Sequence, residues 1–331
     1  MSGRSALVTG GAGFIGSNLV AALTERGERV AVCDRLGHED KWRNLGKHSL
    51  EDLIAPEDLF AFLEDRRTEV EAVLHMGAIS DTTERDADAL AATNFRLPIA
   101  LWRWCAAQKV PLIYASSAAT YGGGEAGFED DLSQAYLARL RPLNGYGWSK
   151  HLFDRWVAQQ LNEGAPRPPF WAGLKFFNVY GPNEYHKGAQ ASVAYHLFGQ
   201  LSRGESARLF QSHNPDYPDG GQLRDFIWIE DCVAVVLWLL DRGETGGLLN
   251  VGTGQARSFA DLARALFETL GEPQNIQYVP TPETIREKYQ YFTEARMERL
   301  RAAGYAQPFT SLEDGVGRYL RNHLMTADPY L

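Results

Sequence analysis

Short apolar runs alternate with longer stretches of helical period along the first 180 residues. SALVT (5–9), RVAVCD (29–34), EAVLHM (71–76), PLIYASS (111–117) and FWAGLKFFNV (170–179) are rich in β-branched, aromatic and other apolar residues and are bounded by polar or Gly/Pro clusters, which predicts five buried strands. Apolar positions at helical spacing predict helices from about Phe14 to Arg26, near 57–66, over roughly 86–108, and after Tyr146 through HLFDRWVAQQL. Strands alternating with helices form parallel βαβ units, so the expected fold class is α/β with a doubly wound parallel sheet.

The pattern changes after Asn178-Val179-Tyr180-Gly181-Pro182. RDFIWI (224–229) and LLNVG (248–252) read as further strands with DCVAVVLWLLDRG helical between them, HNPDYPDGG (213–221) as a turn-rich loop, and the tail as helices near 258–271, 293–302 and 311–323. The expected organisation is a nucleotide-binding domain of residues 1–179 with 224–255, and a smaller, mostly C-terminal α/β substrate domain of residues 180–223 with 256–331.

Composition narrows the partners. The 331 residues carry a net charge of −9, which gives no bulk attraction to nucleic acid or an anionic membrane. Cys33, Cys105 and Cys232 are odd in number and far apart, as expected of reduced core thiols in a cytoplasmic protein. The eight histidines form no H-x-x-x-H or H-E-x-x-H pattern, so no catalytic metal is expected. The N-terminus lacks signal-peptide architecture, and the longest apolar run, CVAVVLWLL (232–240), is too short to span a bilayer.

The first predicted strand runs into Thr9-Gly10-Gly11-Ala12-Gly13-Phe14-Ile15-Gly16, which opens a helix. Gly11, Gly13 and Gly16 form G-x-G-x-x-G. Glycines there allow a tight turn and close approach of the backbone to a pyrophosphate, and the helix N-terminus offers unpaired N–H groups to it. A Rossmann-type dinucleotide site is therefore expected at Gly10, Gly11, Gly13, Phe14, Ile15 and Gly16. The second strand ends in Asp34, where an acid meets the adenosine ribose. Asp34 alone favours NAD; Arg35 and Lys41 nearby favour the 2′-phosphate of NADP, or are merely solvated loop charges.

Tyr146 and Lys150 stand four apart at the start of a predicted helix, on one face. Alone they read equally well as a surface pair. Beside a dinucleotide site they suggest hydride transfer at an alcohol or ketone. A tyrosine with a pKa near about 10 is a poor base at neutral pH, and a neighbouring ammonium lowers that value. Ser116 and Ser117, at the end of the fourth strand, fall at the sheet edge where such folds bind ligands, so a serine there completes an alcohol clamp.

TGGAGFIG, YASSAATYG and YGWSK together resemble the extended short-chain dehydrogenases/reductases that act on nucleotide sugars. HMGAISDTTE (75–84), FFNVYGPNEYHKG (176–188), ASVAYHL (191–197), RDF (224–226), NVGTG (250–254) and YQYFTEA…LRAAGY narrow the resemblance to the ADP-L-glycero-D-manno-heptose 6-epimerase family over nearly the whole chain. The resemblance implies inversion at carbon 6 of ADP-glycero-manno-heptose, a lipopolysaccharide core precursor, through transient oxidation by bound NADP, with NAD as the alternative. It implies Tyr146 and Lys187 as the two acid/base groups, helped by Lys150 and Ser117. It places cofactor contacts at Gly10, Gly11, Asp34, Arg35, Lys41, His75, Met76, Gly77, Ala78, Ile79, Ser80, Asn94, Lys150, Val179 and Lys187. Substrate contacts fall at Ser117, Asn178, Ala189, His196, Phe210, Gln211, Ser212, His213, Arg224 and Tyr289. A homo-oligomer is implied, with a pentamer as one form.

Three departures stand out: Gly145 where a β-branched residue is expected, no basic residue near Pro56, and a loop at 212–223 that is longer and richer in Pro, Asp and Gly. Alternatives are a UDP-hexose 4-epimerase, against which the HKG segment argues, and a non-catalytic NADP-binding scaffold. A 4,6-dehydratase would want acids where Ala118 and Ala119 stand.

Overall fold

Ser5–Thr9 (β1) is buried along its whole length, as a strand covered on both faces must be. It lies inside a seven-stranded parallel sheet with Arg29–Cys33 (β2), Asp52–Ile54 (β3), Val70–His75 (β4), Leu112–Ser117 (β5), Trp171–Phe176 (β6) and, at the far edge, Gly247–Val251 (β10), in the order β10-β6-β5-β4-β1-β2-β3. The chain order reverses between β1 and β4, and the crevice at the carboxyl ends of these strands is where a doubly wound sheet takes a ligand. This is a computed structural model; it describes residues 5–38, 40–244, 246–286 and 289–331.

Helices flank the sheet. Phe14–Glu25 (α1) and Leu59–Asp65 (α2) precede a three-part rod: Ala87–Ala91 (α3), a π-helical turn at Ala92–Arg96, and Leu97–Gln108 (α4). After the short Gln134–Leu137 (α5) comes the 18-residue Gly145–Asn162 (α6). One apolar cluster lies on the α1 side of the sheet. A second, built around Trp102, Tyr114, Phe153 and Trp171, lies on the α4/α6 side.

The predicted strand 170–179 divides at Phe177. β6 stays in the large sheet, while Asn178–Tyr180 (β7) pairs in parallel with Leu223–Trp228 (β9), which also pairs with Ala256–Ser258 (β11). Val193–Leu201 (α7), Ile229–Arg242 (α8) and Phe259–Leu270 (α9) pack around these strands. A two-stranded ribbon of Ala207–Phe210 (β8) and Ile276–Val279 (β12) follows. Glu283–Arg286 (α10), Glu298–Ala302 (α11) and Leu312–Tyr319 (α12) complete the chain. The helix expected over 293–302 forms only at α11. The preceding residues are drawn out alongside β9, where the Leu223 N–H donates to Tyr291 and the Thr293 N–H to the Leu223 carbonyl. Sheet-type pairing there overrides the helical period. All three cysteines are buried and unpaired. Among the described residues no helix is long and apolar enough to cross a membrane.

Candidate active site

A cavity of about 1240 Å³ runs along the carboxyl edge of the large sheet, from the glycine-rich turn to Arg224 and Tyr289. At its first end Gly10 has φ +66°, and a Cβ there would lie 2.5 Å from Gly77 Cα, so the turns after β1 and β4 meet only because neither has a side chain. Gly11 faces away from the cavity and packs on Val32. Gly13 is the N-cap of α1 and supplies no side-chain acceptor, which leaves the first N–H groups of the helix open where Phe14, Ile15 and Gly16 line the cavity.

Asp34 is fixed by three donors: the Ala12 N–H at 2.9 Å, the Arg35 N–H at 2.7 Å and Lys41 Nζ at 2.7 Å. Lys41 lines the cavity; Arg35 does not. The Arg35 guanidinium turns outward to Glu57, next to the position near Pro56 that lacks a base. Of the two expected cations, only Lys41 stands at the cavity wall.

Met76, Gly77, Ala78 and Ser80 line the cavity, whereas His75, Ile79 and Asn94 hold that segment from behind. His75 Nδ1 is 2.6 Å from Thr9 Oγ1, joining the ends of β1 and β4. Burial depresses its pKa to about 3, which keeps the ring neutral. The Asn94 amide receives the Ile79 N–H, donates to the Ile79 carbonyl, and reaches Ser149 Oγ at 2.9 Å. Asn94 thereby links the 76–80 turn to α6.

Asn144 caps α6, its side chain accepting the Gly147 N–H at 2.8 Å. A Cβ at Gly147 would lie 2.6 Å from the Ala119 carbonyl, so this glycine lets the first turn of α6 press against the turn that follows Ser117. At Gly145, the first of the departures, a Cβ would lie 2.8 Å from the end of the Leu90 side chain, so the glycine lets Leu90 pack against the start of α6. The close approach brings Tyr146 against the Ser117 hydroxyl. Burial raises the Tyr146 pKa above its ordinary value; the Ser117 hydrogen bond opposes the rise and the Asp154 charge adds to it. The lowering expected from Lys150 is not found: burial dominates and the phenol is raised. The Lys150 ammonium donates to the Ala115 carbonyl at 2.8 Å, and burial brings its pKa down to about 8, with Asp154 resisting.

Ser116 has a different task from Ser117. Its hydroxyl donates to Asp154 at 2.7 Å. Asp154 also accepts from Tyr114 and forms a fully buried ion pair with Lys175 at 2.7 Å. Lys175 in turn donates to Thr120. Asp154 was not singled out from sequence, although it continues the face of α6 that begins with Tyr146 and Lys150, at i, i+4 and i+8.

Lys187 lies in the 3₁₀ turn Tyr185–Gln190, with Nζ 5.4 Å from the centre of the Phe14 ring, at the start of α1. Burial lowers its pKa, and the Glu184 carboxylate partly restores it. Glu184 and His186 were not anticipated. Glu184 is buried and accepts from Ser192 and Tyr319. His186 lines the cavity beside Asn44, its pKa pressed to about 4 by burial and by Lys41 and Lys187.

At the other end, Asn178, Val179, Arg224 and Tyr289 line the cavity; Ala189, His196, Phe210, Gln211, Ser212 and His213 do not. α7 presents Ser192, Val193 and Ala194 instead. The 212–223 loop binds itself and the 289–291 segment: Ser212 N–H donates to Asp219, His213 N–H to Tyr291 Oη, and Tyr291 and His213 Nδ1 are 2.9 Å apart. Arg224 is 8% exposed. Its guanidinium donates to the Leu223 carbonyl and lies 5.6 Å and 5.5 Å from the rings of Phe259 and Tyr289, with no carboxylate in ion-pair range among the described residues. Ala118 and Ala119, not acids, stand beside Ser117 at the cavity wall.

Residues 6–252 match the model of the NAD dependent epimerase/dehydratase family. The chain is similar to an ADP-L-glycero-D-manno-heptose-6-epimerase of Nitratidesulfovibrio vulgaris, 48% identical over 98% of this chain and 99% of that one. Among solved structures it resembles the Helicobacter pylori ADP-L-glycero-D-manno-heptose-6-epimerase, with a TM-score of 0.79 and 31% identity over 97% of this chain and 96% of that one. It also resembles the Thermus thermophilus UDP-glucose 4-epimerase in complex with NAD, with a TM-score of 0.77 and 25% identity over 98% and 100%.

Proposed function

Because the chain belongs to the NAD dependent epimerase/dehydratase family, we propose that it interconverts ADP-D-glycero-D-manno-heptose and ADP-L-glycero-D-manno-heptose, a precursor step for lipopolysaccharide core heptose. The observation that carries this reading is Arg224. A guanidinium this buried, with no acidic partner among the described residues, is costly unless an anion completes it, and its fork suits a pyrophosphate. It opens into the same cavity as Ser117, Tyr146 and Lys150.

Residues suited to a dinucleotide lie at the opposite end: the uncapped start of α1, the glycine contact of Gly10 with Gly77, and Asp34 with Lys41. Lys41 favours NADP; NAD remains the alternative. These residues would hold a nicotinamide dinucleotide, which when bound would supply a reversible hydride acceptor for carbon 6. Carbon 6 needs this route because its hydrogen is not next to a carbonyl and is not acidic. Oxidation makes the centre planar, and hydride return to the opposite face inverts it with no net redox change.

In this reading Ser117 and Tyr146 hold the sugar hydroxyl, and Tyr146 exchanges its proton. Lys150 orients the cofactor ribose and keeps a positive charge near Tyr146. The ketone must present both faces to one hydride donor, which calls for a second acid/base group, and Lys187 fits: it is desolvated, its pKa is lowered, and it sits at the dinucleotide end. The protein works as a homo-oligomer, and residues 180–223 with 256–331 supply the part that covers the sugar nucleotide. The test is incubation of the purified protein with ADP-D-glycero-D-manno-heptose without added cofactor, following the diastereomer ratio by NMR. Conversion toward a mixture supports the reading. An unchanged ratio with NADP bound rejects it, and conversion of UDP-hexoses instead selects the 4-epimerase alternative.

A further inference from the structure

Residues 325–331 form no helix or strand, yet they are tied to two segments at the dinucleotide end of the cavity. The first is the 3₁₀ turn Asp40–Leu45, which carries Lys41. There the Arg43 guanidinium lies 4.2 Å from the centre of the Tyr330 ring and 3.6 Å from Asp328, and Lys47 Nζ meets both the Tyr330 carbonyl at 2.8 Å and Asp328 at 3.0 Å. The second is the 183–187 turn, which carries His186 and Lys187. There the Leu331 N–H donates to the Asn183 side chain at 3.2 Å, Tyr185 Oη donates to the Pro329 carbonyl at 2.9 Å, and the Tyr185 and Tyr330 rings meet edge-on with centres 5.1 Å apart.

Asn183 is the junction. It is buried, with φ +71°, a left-handed conformation that a side chain must be held in. Its amide donates to Ser17 of α1, its side-chain oxygen receives Leu331, and its carbonyl receives Asn44 from the 40–45 turn. Three separate parts of the chain thus converge on one turn, and Lys187 follows four residues later.

We propose that residues 325–331 are a strap, with Tyr330 as its positioning residue, that holds the Lys41 turn and the Lys187 turn together and so couples the grip on the dinucleotide to the placement of the second acid/base group. The strap does not line the cavity; it acts through Lys41 and Lys187. Its catalytic half rests on the role assigned to Lys187 above, whereas its binding half does not. Ring contact with Arg43 and Tyr185, not the phenol hydroxyl, carries the effect, so Tyr330→Phe retains it and Tyr330→Ala loses it.

The experiment compares wild type, Tyr330→Phe, Tyr330→Ala and a chain ending at Thr326. NADP affinity is read by titration, the epimerisation rate at saturating NADP by NMR, and thermal stability alongside. The expected result is that Tyr330→Ala and the truncation weaken NADP by about 5- to 10-fold, from lost pre-organisation, and slow turnover even when NADP is saturating, while Tyr330→Phe matches wild type in both. Unchanged NADP affinity in Tyr330→Ala and the truncation overturns the proposal, as does a fall in thermal stability alone. Turnover that returns fully at saturating NADP overturns the coupling to Lys187. If wild type does not epimerise the heptose, the assigned function fails, and the affinity comparison still decides whether the strap holds the dinucleotide site.

Discussion

Two layers of the molecule bury cations in opposite ways. Beneath the cavity, Lys175 is wholly enclosed and fully answered: Asp154 at 2.7 Å, Thr120 beside it, and the Tyr121 ring 4.8 Å away. Lining the cavity, Lys150, Lys187 and Arg224 are also largely desolvated, and among the described residues none has a carboxylate within ion-pair distance. A buried cation with its partner fixes the β5–α6–β6 geometry. A buried cation without one marks a surface made for an anion or for proton transfer. The fold keeps the two kinds one layer apart, joined through Asp154 on the same helix as Tyr146 and Lys150.

The largest effect expected from breaking this arrangement is at Tyr146. Tyr146→Phe removes one oxygen from the reacting end and should lower turnover by about 10³-fold while NADP titrations stay unchanged; turnover near wild type would remove Tyr146 from the chemistry. Next is the paired layer. Lys175→Met strands Asp154 and should lower stability by about 3 kcal/mol in denaturant unfolding. Asp154→Leu combined with Lys175→Met should recover most of that loss, and a double variant as unstable as the single one would argue against a paired structural role.

Arg224 sharpens the contrast. Arg224→Ala should weaken ADP by roughly 30-fold, about 2 kcal/mol in calorimetry, and leave unfolding stability equal or higher because a buried charge with no carboxylate partner among the described residues is gone; a stability loss like that of Lys175→Met would make Arg224 structural. Lys41→Ala should weaken NADP by about 10-fold with little change for NAD, whereas Arg35→Ala, aimed at Glu57, should alter neither by more than about twofold. A further effect is in pH. The folded-state pKa of Lys150, about 8, lies below its ordinary 10.5, so the native state releases this proton first. Stability from this group therefore rises as pH goes from about 8 toward 10.5, while turnover falls over the same window. Stability and turnover rising together would contradict the assignment.

The strands of the large sheet and the glycine-rich turn were legible because both announce themselves locally: continuous apolar runs in β1, β4 and β5, and glycines where two turns must touch. Tyr146, Lys150 and Ser117 were legible only together with the glycine-rich turn, since alone the Tyr–Lys pair reads equally well as a surface pair; the structure places all three at one cavity. The remaining features depend on long-range pairing. Arg35 has the composition of a phosphate contact and is drawn off by Glu57, 22 residues away. Asn94 and His75, placed at the cofactor by the resemblance, lie behind the cavity wall and brace the 76–80 turn through pairings the sequence does not display. The strands β8 and β12 are short and partly exposed, so little period was visible, and residues 293–297 lose their helical pattern to β9. Asp154 and Lys175 lie on different elements, and only the packing of α6 on β6 makes them a pair.

The central claim is that the hydride taken from carbon 6 returns to carbon 6. The direct measurement is epimerisation of ADP-D-glycero-D-manno-heptose in D₂O, reading deuterium at that carbon by NMR or mass spectrometry. Inversion with the original hydrogen retained is the predicted result; inversion with solvent deuterium at carbon 6 would mean proton abstraction and would contradict the account.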